Sequence, residues 1–84
     1  MDILFLFGEI RDYFRYTHNC NFRLALTAAK ICHERFSHID DKKERFQHVI
    51  NILPTLDNTV IQDIINEAND KIAIQNNTMV VEQS

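Results

Sequence analysis

The chain has 84 residues, enough for one domain, and its 45% apolar and 25% charged content is typical of a folded protein rather than a disordered one. A single Gly and a single Pro argue against a β-sandwich and against glycine-rich phosphate-binding loops, and they favour helices joined by short turns. The net charge of −3 is unevenly spread: residues 11–48 hold eight Lys/Arg against five Asp/Glu, whereas residues 49–84 hold one against five. This asymmetry permits contacts between oppositely charged parts of two copies.

The first predicted helix, residues 2–16 with Asp2 as N-cap, carries more apolar side chains than one core can cover. A helix that packs against a single core needs one apolar stripe, with polar residues opposite. That stripe is supplied by Ile3, Leu6, Phe7, Ile10 and Phe14. Four further side chains remain: Leu4, Phe5, Tyr13 and Tyr16. We expect these four to need a second covering surface, most simply another chain.

Three more helices follow from the apolar periodicity and from capping residues. The second covers residues 22–36, with Asn21 as its N-cap, and its alanines predict close contact with neighbouring helices. The third covers residues 41–53 and ends at Pro54. The fourth covers residues 58–69, after Asp57 as its cap. The second helix is therefore expected at the centre of the fold.

The last segment, residues 71–84, has two interpretations. Ile72-Ala73-Ile74 and Met79-Val80-Val81, separated by an Asn-Asn pair, are compatible with two short strands of a hairpin. The alternative is a fifth helix. The predicted fold is thus mainly α, a compact bundle of four helices with a short C-terminal β-hairpin or fifth helix, in a single domain spanning residues 1–84.

Cysteine and histidine are the side chains best suited to catalysis or to metal binding, and their arrangement favours neither. Cys32 and His33 are adjacent on a helix and therefore point about 100° apart, which prevents them from converging on one tetrahedral ion. Cys32 also lies on the apolar stripe of its helix, where a small thiol packs well. The chain lacks glycine-bearing loops that would form an oxyanion hole. We therefore expect no enzyme activity, no metal and no cofactor.

Arginines alternate with aromatic residues at the end of the first helix. Arg11 and Arg15 flank Tyr13 and Phe14, a combination that other proteins use to hold phosphates and stack bases. Arg23 and Lys30 are seven residues apart and share one face of the second helix. These four cations are the predicted phosphate or nucleic-acid contacts. In the alternative interpretation the aromatic rings are core or interface residues, and the arginines extend past them into solvent.

The segment from residue 46 to 70 carries a local family resemblance. Leu53-Pro54 is followed by Leu56-Asp57, and two Val/Ile pairs then recur at helical spacing, Val60-Ile61 and Ile64-Ile65. This pattern resembles the first two helices of the CUE domain, a three-helix module that binds ubiquitin. The resemblance implies an apolar ubiquitin-docking patch formed by Ile52, Leu53 and Pro54. It does not extend to the third helix, where Gln75-Asn76-Asn77-Thr78-Met79 stands in place of the family's di-leucine.

The N-terminal apolar run does not have the composition of a signal peptide, because Asp2 precedes it and charges interrupt it from Glu9 onward. No stretch is long enough to cross a bilayer. Together with two cysteines, this predicts a cytoplasmic or nuclear, reducing location. The sequence therefore indicates a small, non-catalytic interaction or regulatory protein, acting on a protein partner or on itself as a homodimer. Ubiquitin binding and nucleic-acid binding are the alternatives.

Overall fold

A computed structural model describes the backbone of residues 2–83 and the side chains of residues 2–75. Helix α1 (Ile3–Asp12) continues into a π-helical turn (Tyr13–Thr17), and α2 (Phe22–Glu34) follows. Helix α3 (Lys42–Ile52) leads through a 3₁₀ turn (Leu53–Thr55) into α4 (Asn58–Gln83). No strand occurs in the described backbone. The predicted mainly helical fold with four helices is confirmed.

Two of the predicted N-caps are present with their hydrogen bonds. The Asp2 carboxylate accepts a hydrogen bond from the backbone N–H of Leu4 at 3.4 Å, and the Asn21 side chain accepts one from Leu24 at 2.8 Å. Asp41 precedes α3 in an extended conformation, but its side chain makes no capping bond. Side-chain oxygens at the helix start satisfy N–H groups that have no partner within the helix. These caps fix where α1 and α2 begin.

The end of the first helix differs from the prediction, because regular α-helix stops at Asp12 and a π-helical turn occupies Tyr13–Thr17. The backbone N–H of Cys20 then donates to the carbonyl of Phe14 at 3.1 Å. Asn19 takes a left-handed conformation with φ of 56°, which Asn tolerates better than most residues. This wider turn closes the first helix and directs the chain into α2.

Helix α2 lies at the centre of the fold, as its alanines predicted, and contacts α1, α3 and α4. Ala25, Ala28 and Ala29 are completely buried, so the neighbouring helices approach its backbone closely. Helices α1 and α3 run in the same direction, because Phe7 packs against Phe46 midway along both helices and Tyr13 contacts Leu53 just beyond their ends. Around α2 the core is built from Leu6, Ile10, Phe14, Ile31, Cys32, Phe46, Val49, Leu53, Ile61, Ile64, Ile65 and Ala68.

The fourth helix is longer than predicted and includes the residues that were proposed as the first strand of the hairpin. Ile72-Ala73-Ile74 continues α4, which is one helix rather than a helix with a separate fifth element. The residue predicted as its end, Asn69, is exposed to solvent, and no Gly or Pro follows to break the helix. The turn and second strand of the hairpin, residues 76–81, lie outside the described side chains.

Candidate interaction surfaces

The start of α1 exposes a group of large apolar side chains, the α1 apolar patch, formed by Ile3, Leu4 and Phe5. Their exposed fractions are 38%, 78% and 55%, respectively. Leu6 and Ile10, on the opposite side of the same helix, are buried in the core. The sequence correctly placed Leu4 and Phe5 outside the core stripe. It placed Ile3 inside the stripe, but this side chain lies at the edge of the fold, where the core covers it only in part.

The single glycine of the described chain, Gly8, lies in the middle of α1, one helical turn beyond Leu4. Glycine in a helix interior costs about 0.5–1 kcal/mol relative to alanine. Nothing in the described part of the chain requires it, because its φ is not positive and a Cβ placed there would meet only the end of the Arg11 side chain, at 3.6 Å. Beside the α1 apolar patch, however, a missing side chain lets another backbone approach closely. Sequence reasoning overlooked Gly8, although a lone Gly within an apolar helix was the available signal.

The two tyrosines predicted to need a second surface have different environments. Tyr13 packs against the core, and its hydroxyl donates a hydrogen bond to the backbone carbonyl of Leu53 at 3.3 Å. The surface that covers Tyr13 is therefore the end of α3 in the same chain. Tyr16 is 70% exposed, and its ring lies 5.2 Å from the guanidinium carbon of Arg15. Neither tyrosine contributes to the α1 apolar patch.

A second surface, the Arg–aromatic cluster, comprises Arg11, Arg15, Tyr16 and Phe22. The guanidinium carbons of Arg11 and Arg15 lie 5.1 and 5.7 Å from the centroid of the Phe22 ring. Phe22 is 51% exposed, although it fits the apolar spacing of its helix. It is the first residue after the Asn21 cap, at the rim of the fold, and its half-exposed ring lies near the guanidinium groups of Arg11 and Arg15. Its position at the helix start was the only feature of the sequence that indicated an exposed ring.

The two other predicted cations do not join this cluster. Arg23 and Lys30 line a groove of about 260 Å³ between α2 and α4, together with Lys71 and Glu34. Their seven-residue spacing does place them on one face of α2, as predicted. That face points toward α4, so the four cations divide into two groups of two.

A larger groove, of about 470 Å³, lies between α1 and the end of α3. Its lining combines apolar or aromatic side chains with the carboxylates of Glu9 and Asp12; the former are Tyr13, Ile50, Leu53 and Pro54. The patch implied by the CUE resemblance does not form one surface here. Leu53 is only 2% exposed, Ile52 is half-buried and Pro54 is exposed. Leu53 therefore serves the core and is not available to a partner.

The cysteines and histidines have environments set by packing. Both cysteines are free thiols, and burial raises the pKa of Cys32 to about 12 and raises the pKa of Cys20. A thiol with such a pKa is protonated at neutral pH and is a poor nucleophile. The ring of His33 packs edge-on against Phe7 and Phe46, and burial lowers its pKa. Among the described residues, no three His, Cys, Asp or Glu side chains are grouped to hold a metal ion.

Comparison of the chain with protein-family models, with curated proteins and with solved structures gave no significant match. Within the described residues, no helix combines the length and the apolar character needed to cross a membrane. The function must therefore be argued from the two exposed surfaces themselves.

Proposed function

We propose that this protein is a small, non-catalytic interaction protein that forms a homodimer through the α1 apolar patch, in a reducing intracellular compartment. The observation that carries the proposal is the presence of Leu4 and Phe5, both more than half exposed, beside Gly8 on the first turns of α1. Large apolar side chains next to a position without a side chain are suited to close contact with another helix.

Burial of the α1 apolar patch offers enough free energy to contribute to association of two chains. Full burial of a Leu or Phe side chain contributes about 1.5–3 kcal/mol. When scaled by the exposed fractions of Leu4 and Phe5, the two side chains together offer about 2–4 kcal/mol per protomer. Two protomers double this gain, which must exceed an association cost of at least about 4 kcal/mol. A dimer held by this patch alone is therefore expected to be weak and to depend on concentration.

A second copy of the chain is the favoured occupant because of the charges near the patch. Residues 1–10 contain no Lys or Arg, and their acids, Asp2 and Glu9, lie outside the patch; the cation beside Gly8 is the flexible end of Arg11, which can move aside. Two such patches can meet around a two-fold axis without pairing like charges at the centre of the contact. An 84-residue chain also buries a smaller fraction of its unfolded surface than a larger domain does, so self-association adds apolar burial that the monomer lacks.

Light scattering coupled to size-exclusion chromatography, over a series of concentrations, tests the proposal. We expect the mass to rise from monomer to dimer in the wild type and to remain that of a monomer in Phe5→Asp. Ile74→Asp is the matched control. Ile74 is 63% exposed, so this variant also replaces an exposed apolar side chain with Asp, but on α4 rather than in the α1 apolar patch. Helicity by circular dichroism verifies that both variants are folded. A wild type that stays monomeric, or equal loss of dimer in both variants, contradicts the proposal.

A further inference from the structure

The Arg–aromatic cluster is distinct from the α1 apolar patch and combines two cations with two exposed rings. Arg11 and Arg15 are four residues apart, and both guanidinium groups reach the Phe22 ring on the next helix. Arg15 also contacts the ring of Tyr16. The π-helical turn that contains Arg15 and Tyr16 leads the chain back to Phe22, so the turn itself brings these side chains together.

The positive charge of this cluster is only partly balanced. Arg11 directs two of its N–H donors, Nε and Nη2, to Oδ1 of Asp12, both at 3.2 Å. Arg15 makes no ion pair with any acid in the described part of the chain, and its contacts are the two rings. A guanidinium has five N–H donors in a planar fork that matches phosphate oxygens. Arg15 thus presents an uncompensated, oriented cation at the surface.

We propose that the Arg–aromatic cluster binds single-stranded nucleic acid, with bases stacked on the Tyr16 and Phe22 rings and the phosphates held by Arg11 and Arg15. Every base has a π-face that stacks on an exposed aromatic ring, and arginine adds cation–π and phosphate contacts. The pairing of rings with adjacent cations thus matches the alternation of bases and phosphates along a single strand. The Lys30 side of α2 belongs to another groove and plays no part.

The charges on the rest of the chain explain why the strand should be single. A duplex is stiff and needs a broad basic surface, yet the outer part of α4 carries Asp63 and Asp70, and the net charge is −3. A flexible strand instead contacts a small patch and turns away from the acids. With two phosphates neutralised, the logarithm of the affinity should fall with the logarithm of salt concentration with a slope of about −1.4.

Fluorescence anisotropy with a labelled ten-nucleotide oligothymidylate at low salt is the direct test. We expect Arg15→Gln and Tyr16→Leu each to weaken binding at least about tenfold, since each removes a main contact of the cluster. Lys30→Gln is the matched control, because it removes the same unit of charge from α2 outside the cluster, and it should change the affinity less than about twofold. In Arg15→Gln the salt slope should fall by about 0.7.

Three outcomes would overturn the inference. These are no binding by the wild type, an equal loss of affinity in Lys30→Gln and Arg15→Gln, and equal affinity for a duplex of the same length. Tyr16 and Lys30 are exposed and Arg15 is partly buried, and circular dichroism establishes whether the variants remain folded. Binding by Phe5→Asp at wild-type level is expected as well, which separates this site from the dimer contact.

Discussion

The variant Gly8→Ala, which adds a single methyl group, tests the dimer proposal. Gly8→Ala should stabilise the monomer by about 0.5–1 kcal/mol, because alanine loses less conformational freedom in a helix than glycine. The new Cβ finds space within the chain, since its nearest neighbour is the flexible end of Arg11 at 3.6 Å. In a close helix–helix contact the same methyl group has no room, and overpacking costs about 1–3 kcal/mol. The dimer dissociation constant should therefore rise about 5- to 150-fold.

The two effects have opposite signs and are measured separately. Urea unfolding followed by circular dichroism gives the free energy of unfolding, with Gly8→Ala placed in the monomeric Phe5→Asp background so that dimerisation does not contribute. Sedimentation equilibrium of the single variant gives the dissociation constant. If Gly8→Ala raises stability and leaves the dissociation constant unchanged, another backbone does not approach α1 at Gly8. If it lowers the stability of the monomer, the reading of Gly8 as unneeded within the chain is wrong.

Three further predictions concern the fold. Ala29→Leu, at a fully buried position of α2, should destabilise the protein by about 1–3 kcal/mol and lower Tm by several degrees in a thermal melt. Ala73→Leu, at an exposed position of α4, should change the free energy of unfolding by less than about 0.5 kcal/mol. Asn21→Ala should cost about 0.5–2 kcal/mol in urea unfolding, and Asp41→Ala, whose side chain makes no capping bond, much less. Burial lowers the pKa of His33 below its ordinary 6.5. The unfolded chain therefore binds more protons than the folded chain near and below that pH, and stability falls on acidification. His33→Gln should flatten this pH dependence of the free energy of unfolding between about pH 7 and pH 5.

The parts of the fold that the sequence predicted depend on local signals. Asp2 and Asn21 are capping residues immediately before apolar periodic segments, and both make the bonds that define their helices. The alanines of α2 indicated a central helix because small side chains are needed where helices approach closely. As Pro54 indicated, regular α-helix does not continue through this position: α3 ends at Ile52, and Pro54 lies in the 3₁₀ turn. In each case the residue type itself constrains the backbone or the packing distance.

The parts that the sequence did not predict depend on tertiary contacts. Tyr13 looked like a surplus apolar residue because a regular helix was assumed, but a π-helical turn starts there and α3 covers its ring. Phe22 fits the apolar period of its helix, and only the approach of Arg11 and Arg15 from the preceding segment shows that it belongs to a surface. The alternation in Ile72-Ala73-Ile74 suggested a strand, yet nothing in the sequence interrupts α4 before it. The CUE-like pattern indicated that Leu53 is a docking residue, but its side chain is buried within its own chain.

The two proposed surfaces are compatible within one assembly. Phe5 and Arg15 are ten residues apart, so they lie about 15 Å from each other along the helix axis. A dimer formed around a two-fold axis at the start of α1 can leave Arg15, Tyr16 and Phe22 of each protomer exposed, whereas the flexible end of Arg11 lies beside Gly8. A strand long enough to reach both clusters would gain avidity, whereas a ten-nucleotide strand bound to one cluster would not. Longer oligonucleotides should consequently discriminate wild type from Phe5→Asp, although short ones bind both equally. Dimerisation would then compensate for the small size of each site and for the acidic charge of the chain as a whole.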